Sequence, residues 1–551
     1  MAHPLDGIRV LELANYMAGP FCCMLLADLG ADVIKIENPR GGDFSRQTSP
    51  FIQGESAGFM AINRNKRSLA LDLKSGRGRE LFLELVKTAD VLVENFRPGT
   101  LADLNIDYPV VSALNPRLIY SSASAFGQTG PYSPRAGLDL IVQGMSGLMS
   151  ITGEPGRPPV KVGVPIADLT TGLFGALAIV AALRVRDRTG QGQRIDLSLL
   201  ESAIALEIWE TSGFFATGEV PEPLGSAHRT SAPYQAIRTA DGYVTVGATT
   251  PRNWSALCQA LGLEHLEHDA RFATVADRRA RYLELAELIE DVTRTQSSEH
   301  WYRLLEQAGV PCSVLNRIDQ VVSDPHIQAR DFIVDLAHTT LGHVRATGSP
   351  MRLSETPVRV ERAGPLLGEH TVEVLQELGV QSHAIEALIG DGTLGVTALG
   401  YVAPGAQIRG QVRLGRDSSI WFGACLNGEA APIVLAEEAN IQDNCVIEST
   451  PGHPVRIGAR VSVGHNARVV GATIEPRSLV AIGATVLPGA RVGTHAIVAA
   501  KATVPEGMVV PERALVVGHG RVVRELTEAE IERIERGANE YIRLAREHRA
   551  Q

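Results

Sequence analysis

Residues 5–37 read LDGIRVLELANYMAGPFCCMLLADLGADVIKIE, and this opening stretch settles how the larger part of the chain is organised. Ile8 to Leu13 has the composition of a short strand, Pro20 to Leu29 that of an apolar helix, and Ala31 to Ile36 that of a second strand, with a turn at Gly41 and Gly42. Strand, helix and strand in such quick succession make a βα unit, and the rhythm returns at Ala89 to Glu94 and continues to about residue 390. Alternation of this kind predicts an α/β fold on a mainly parallel, Rossmann-like sheet. Around Gly218 to His228 the composition shifts to Pro, Gly and small polar residues, and Tyr243 to Gly247 is followed by a run of charged helices. The expected organisation is a large domain at 1–220 and 326–392 with a smaller α/β domain, 221–325, inserted into it.

Beyond about residue 392 the helical rhythm stops and aliphatic residues recur every six positions. Val402, Ile408, Leu414, Ile420 and Leu426 lead to Leu435, Ile441 and Ile447, then Ile457, Val463 and Val469, and finally an unbroken phase from Ile474 to Val516. A period of six matches neither an isolated helix nor an isolated strand, but it suits a parallel β-solenoid whose short strands each turn one aliphatic side chain inward at the same level. Glycines near the corners agree with tight turning. An all-β parallel β-helix is expected at 393–525, and Thr527 with Glu530 forms a capping box that opens a C-terminal helix within 526–551.

A chain of 551 residues exceeds the usual size of one core. Its formal charge of −10, with both signs interspersed, disfavours a nucleic-acid partner and offers no basic stripe to a membrane. The six cysteines lack CxxC spacing and read as small core residues of a reducing compartment, so no disulfide framework is implied. Pro4 and Asp6 stand where a signal peptide would carry its apolar run, and no uninterrupted apolar stretch of about 18 residues is apparent. A cytoplasmic location is expected.

Several collinear blocks are specific. They are Leu5 to Glu12, Ala18–Gly19–Pro20, Leu29 to Glu37, Glu94 to Gly99, Pro165 to Gly172 and Gly368 to Thr371. Through them residues 4–390 resemble the class III CoA-transferase family, which also contains acyl-CoA racemases. The resemblance implies an acyl-CoA:carboxylate CoA-transferase in which Asp168 attacks the thioester. The residues around Asp168 suit that role, because Val160 to Ile166 reads as a strand and Leu169 to Leu183 as a helix, which places an ionised carboxylate at a helix N-terminus. A carboxylate nucleophile would pass through an aspartyl anhydride and an aspartyl-CoA thioester, with no metal and no permanently bound cofactor. Gly218 to His228 is the expected lid over these water-sensitive intermediates.

For CoA binding the resemblance implies Asn38 and Arg40 after the second strand, Leu71 and Lys74 further on, and Asn95, Phe96 and Arg97 in the third block. Two positions depart from the family pattern: Asp103 replaces an arginine, and Met17 replaces a glutamine that sits beside the reacting carbonyl in some transferases. Racemases of the family carry a histidine before the aspartate of a Gly-His-Asp run. Here the run is Gly137–Leu138–Asp139, and leucine accepts no proton.

Residues 395–525 resemble hexapeptide-repeat proteins, most closely γ-class carbonic anhydrases, through Ser419 to Gly423 and Asn440 to Asn444. Where those enzymes hold zinc with three histidines, this chain has Glu448, His465 and Val470, and Asn427–Gly428–Glu429 replaces an Arg-Gly-Asp run. Valine cannot ligate zinc, so no metal is expected. His453 is the obvious substitute ligand. The resemblances imply a homo-oligomer, an interlocked dimer through the first half with a trimer through the coil as a further mode of assembly, and acyl-CoA and carboxylic acids as substrates. The alternatives are an acyl-CoA racemase or epimerase, and an oligomeric scaffold with decayed sites.

Overall fold

Strand β1 (Arg9–Leu13) lies inside a seven-stranded sheet. On one side of it follow β2 (Asp32–Glu37) and β3 (Arg67–Leu71), and on the other β4 (Val91–Glu94), β5 (Ile119–Ser124) and β6 (Arg194–Ser198), all parallel. The direction of strand addition reverses between β1 and β4. In open α/β sheets that reversal leaves a crevice beyond the carboxyl ends of the two strands, where ligands bind. The structure, a computed structural model, describes residues 3–395, 400–415 and 417–549. It divides into two compact units, Met1–Gly395 and Val396–Gln551. Leu394–Gly395 pairs antiparallel with β3, so these two residues belong to the sheet and not to the coil that was expected to begin at 393.

Both faces of the sheet are covered, which explains why its strands read as nearly continuous apolar runs. Val10, Val33 and Val91 face α1 (Ala18–Asp28), while Leu11, Ile34, Leu69 and Leu92 face the helix Gly76–Thr88. Helix α1 starts two residues before the expected Pro20, because proline is tolerated in a first turn, where its missing N–H costs nothing.

Two expectations fail around residue 166. The segment 160–165 forms no strand, since Pro158 and Pro159 precede it and Gly163 and Pro165 interrupt it. It leads as an irregular loop directly into α3 (Ile166–Thr189), which runs past the expected Leu183 to a left-handed Gly190. By length and composition α3 could cross a membrane, although Asp168 and Arg184 interrupt its apolar run. Half of that apolar window is buried inside the unit, and Gly172, Gly175, Ile179 and Leu183 are among its packed residues.

Three antiparallel strands, Tyr234–Arg238, Tyr243–Gly247 and Cys312–Val314, carry a separate core that includes Trp254, Phe272, Ile289 and Trp301. The second unit is a stack of short parallel strands. Ile420, Ile441, Val463, Val480, Val498 and Val516 form one inward column, and Leu426, Ile447, Val469, Val486 and Val504 form another. The six-residue period is thus a rung-by-rung ladder of buried aliphatics. Val402 and Ile408 keep this register yet are 41% and 40% exposed, because they stand on the first rung with no rung before them. Helix α4 (Glu528–Arg549) packs Ile531 and Ile534 against Leu479, Ile497 and Leu515, and the Thr527 N–H donates to the Glu530 carboxylate at 2.9 Å.

Candidate active site

Pro165 precedes α3 and offers no side-chain acceptor, so the first N–H groups of that helix need a cap from elsewhere. The cap is Asp139, the first residue of α2 (Asp139–Ser146). Its Oδ1 accepts the Ala167 N–H at 2.9 Å and lies 3.5 Å from the Asp168 nitrogen. Its Oδ2 accepts from Gln143 Nε2 at 2.6 Å, and Gln143 Oε1 in turn accepts the Val162 N–H at 2.9 Å. Buried Gln143 therefore ties the loop before α3 to α2. Asp168 occupies the first turn of α3, with its side chain only partly exposed. Burial first, and the neighbouring Asp139 carboxylate second, push the Asp168 carboxyl up to about 7.

One turn later, Gly172 lies so close to α1 that a Cβ there would sit 2.8 Å from the Ala18 carbonyl oxygen. Ala18 and Ala167 share one buried cluster. This contact sets the start of α1 beside Asp168. Helix α1 has no side-chain cap at Met17, and among the described residues no side chain accepts from the first-turn N–H groups of Ala18 and Gly19.

The loop between β1 and α1 is held from both flanks. Asn95, just past β4, accepts the Asn15 N–H and donates to the Asn15 carbonyl, each at 2.8 Å, so its amide bridges the crevice. Tyr16 has φ 62°, a left-handed conformation that costs a non-glycine residue about 1–2 kcal/mol. Its N–H donates to Asp43 at 3.2 Å. Asp43 pairs with Lys35 at 2.8 Å; Lys35 and Lys66 each reach Glu12 at 2.7 Å, and all four side chains are fully buried. Glu12 and Asp43 raise the Lys35 ammonium against the lowering effect of burial, whereas burial leaves Lys66 below its usual value. The strained turn therefore rests on a dry charge network.

The residues expected to bind CoA cluster at the carboxyl edge of the sheet, with one exception. Asn38 and Arg40 are exposed after β2, and the Asn38 side chain closes a turn on the Arg40 N–H at 2.8 Å. Lys74 is exposed after β3, Asn95 and Phe96 are half-buried after β4, and Arg97 is exposed. Leu71 is the exception: its side chain is part of the core beneath the edge strand, so it offers a ligand no side-chain contact. Leu138 is 74% exposed. The segment Gly218 to His228 is irregular and tethered, with the Gly225 N–H donating to the Gly153 carbonyl at 2.8 Å. Sequence reasoning missed Asp139 as a cap, and the bracing by Lys35, Lys66 and Asp43. The available signal was a lysine inside an apolar strand, Lys35, and another directly before the next strand, Lys66.

In the coil, Glu448 pairs with Arg468 at 3.1 Å and Val470 is buried. His465 Nδ1 lies 3.2 Å from Asp443, and its Nε2 lies 3.3 Å from the Tyr541 hydroxyl on α4. Both ring nitrogens are engaged. His453 forms backbone hydrogen bonds with Thr450 and sits over Gly471. Among the described residues no group of three or more His, Cys, Asp and Glu is arranged to hold a metal ion.

Residues 5–371 match CoA-transferase family III. The succinate–glutarate CoA-transferase of Agrobacterium fabrum is 43% identical over 382 residues, 68% of this chain and 96% of that protein. The succinyl-CoA:glutarate CoA-transferase of Mus musculus is 37% identical over 393 residues, 71% of this chain and 90% of that protein. The crystal structure of a CAIB/BAIF family protein from Brucella suis superposes with a TM-score of 0.64 at 39% identity, covering 69% of this chain and all of that one. With a doubly wound sheet and an aspartate at the head of α3, the first unit defines a class III CoA-transferase. The chain belongs to CoA-transferase family III and is an enzyme that works on CoA thioesters.

Proposed function

We propose that Asp168 is the nucleophile of CoA transfer between carboxylic acids. The observation that carries this reading is a partly exposed carboxylate at the head of α3, pushed up to about 7 and set beside the uncapped start of α1. An Asp168 oxygen attacks the acyl-CoA carbonyl, the C–S bond breaks, and an acyl-aspartyl anhydride forms with release of CoA thiolate. The thiolate attacks the aspartyl carbonyl and expels the donor acid as its carboxylate, leaving an aspartyl-CoA thioester. An acceptor carboxylate then attacks that thioester, expelling thiolate, which takes the new acyl group and restores Asp168. Charge and atoms balance at every step without an oxidant or a metal.

The neighbouring carboxylate favours the first step. Acylation removes the negative charge of Asp168 and with it the repulsion from Asp139, so the ground state is raised relative to each covalent intermediate. A carboxylate of higher pKa is also the better nucleophile. Met17 offers no hydrogen-bond donor to the developing oxyanion, so that role falls to backbone N–H groups, and those of Ala18 and Gly19 are the candidates. Asn38, Arg40, Lys74, Asn95, Phe96 and Arg97 line the proposed CoA path.

Dicarboxylic acids are the proposed substrates, supported by the relatives named for succinate and glutarate. The helix Ile208–Thr217 has no buried residue and leaves Trp209 80% and Phe215 81% exposed, and α3 exposes Leu173 and Leu177. Apolar surface of this extent supports a homo-oligomer covering these helices. The coil is proposed to serve assembly, not hydration chemistry, since its retained histidine is engaged on both nitrogens. Six free cysteines support a reducing, cytoplasmic setting. The test is exchange of CoA from succinyl-CoA to a panel of mono- and dicarboxylic acids, with D168N as the control. Transfer by the wild type and loss of at least a thousandfold in D168N support the reading; no transfer to any acid contradicts it.

A further inference from the structure

A cavity of about 220 Å³ opens past the carboxyl end of β4, on the side of β4 away from β1, and extends back to Tyr120 near the start of β5 and to Arg194, the first residue of β6. Arg97, Asp107, Tyr108, Tyr120, Gln128 and Arg194 line it above buried Glu94. It falls short of the roughly 300 Å³ at which sites for whole small molecules begin, so it suits a single group. Arg194 rises from the edge strand β6, donates to the Gln128 side-chain oxygen at 3.2 Å, and holds its guanidinium 6.0 Å from the Tyr108 ring. Among the described residues neither Arg97 nor Arg194 forms an ion pair with a carboxylate, although most arginines packed on this sheet do, Arg9, Arg46, Arg67 and Arg186 among them.

Two acids, Glu94 and Asp107, share the cavity; Arg194 acts electrostatically on Glu94, but among the described residues neither acid forms an ion pair with Arg97 or Arg194. Glu94 accepts the Phe96 N–H at 2.9 Å and lies at the floor, where burial raises it toward its neutral form. Two guanidinium forks lining a one-group cavity that opens just past β4, one of the two strands at the reversal, suit a phosphate. Position 103, next to this wall, carries an acid and cannot supply that charge.

We infer that Arg194, acting with Arg97, binds a phosphate of the CoA nucleotide and so holds the thioester end at the reacting carboxylate. The inference rests on the proposed transferase function and adds a residue from an edge strand, where an exposed arginine would otherwise serve only to discourage strand pairing.

The experiment compares succinyl-CoA, succinyl-dephospho-CoA and succinyl-pantetheine as donors for the full-length wild type, R194Q and R194K. Loss of one charge-assisted phosphate contact is expected to lower kcat/KM for succinyl-CoA about ten- to a hundredfold in R194Q, through KM, with partial recovery in R194K. Succinyl-pantetheine, which has no phosphate, is expected to be used equally by wild type and R194Q. Succinyl-dephospho-CoA identifies the phosphate: wild-type and R194Q values that coincide point to the 3′-phosphate, and a persisting gap points to the pyrophosphate. An R194Q defect of equal size with all three donors, or no defect with any, overturns the inference. A wild type that transfers from none of the donors instead contradicts the underlying transferase reading.

Discussion

The Asp139 carboxylate caps the helix whose first turn holds Asp168, with its Oδ1 2.9 Å from the Ala167 nitrogen and 3.5 Å from that of Asp168 itself. One acid therefore does two things to the other: it fixes the position of its backbone and raises its proton affinity. Burial is the larger cause and the Asp139 charge adds to it, so the candidate nucleophile titrates near neutrality.

The rate of acylation should follow that titration. Only ionised Asp168 attacks, so single-turnover acylation by succinyl-CoA is expected to rise with pH and level off above about 7. Asp139→Asn keeps an oxygen for the cap and removes the charge, so it should move the midpoint down by about one unit. Rapid-quench measurement between pH 5 and 9 checks both; a D139N midpoint equal to the wild type's would mean that burial alone sets it.

Stability should respond to the same group with the opposite sense. Folding raises this carboxyl above its usual value near 4, so its favourable contribution is complete below about pH 4 and disappears as pH rises through about 7. Asp168→Asn is accordingly expected to raise the Tm of the first unit by roughly 2–4 °C at pH 8 and to change it little at pH 4. Differential scanning calorimetry at the two pH values reads this directly.

Breaking the dry network under Tyr16 should be costly. Lys35→Met would leave Glu12 and Asp43 buried with one ammonium fewer, and removal of one partner from a buried ionic group costs about 3–5 kcal/mol. Urea unfolding should show that loss, and transfer activity should fall more steeply than the folded fraction, because the Asp43 acceptor of Tyr16 is disturbed as well.

The α1–α3 contact admits no side chain at its tightest point. Gly172→Val would force atoms against the Ala18 carbonyl, so the helices must separate by a few tenths of an ångström or more, at about 1–3 kcal/mol. The expected signature is a drop in kcat exceeding the rise in KM, since the shift moves Asp168 relative to the start of α1. A pure stability loss with normal kcat would show that the two helix ends need not be held together.

Much of this was legible beforehand because it is written in periodicity. The βα rhythm of residues 5–37 and the six-residue spacing from Ile474 to Val516 each follow from one repeated burial geometry, and both reappear as buried columns. Asp168 stood out through the block around it. The misreadings share a cause, in that local pattern says nothing of what lies across from a residue. Residues 160–165 carry strand-like valines but have no neighbouring strand to pair with, and their prolines and glycine exclude the ladder. Leu71 was expected to touch the ligand through the resemblance of the run Ser68 to Lys74, yet the Leu394–Gly395 edge encloses its side chain. The cap on α3 could not be read locally either, since Asp139 and Ala167 are 28 positions apart.

Covalent capture at Asp168 tests the account most directly. The protein should be incubated with succinyl-CoA, treated with hydroxylamine, digested and mapped by mass spectrometry. Conversion of Asp168 to its hydroxamate in the presence of the thioester, and none in D168N, is the predicted result. An unmodified Asp168 during active turnover, or a hydroxamate on another carboxylate, would contradict it.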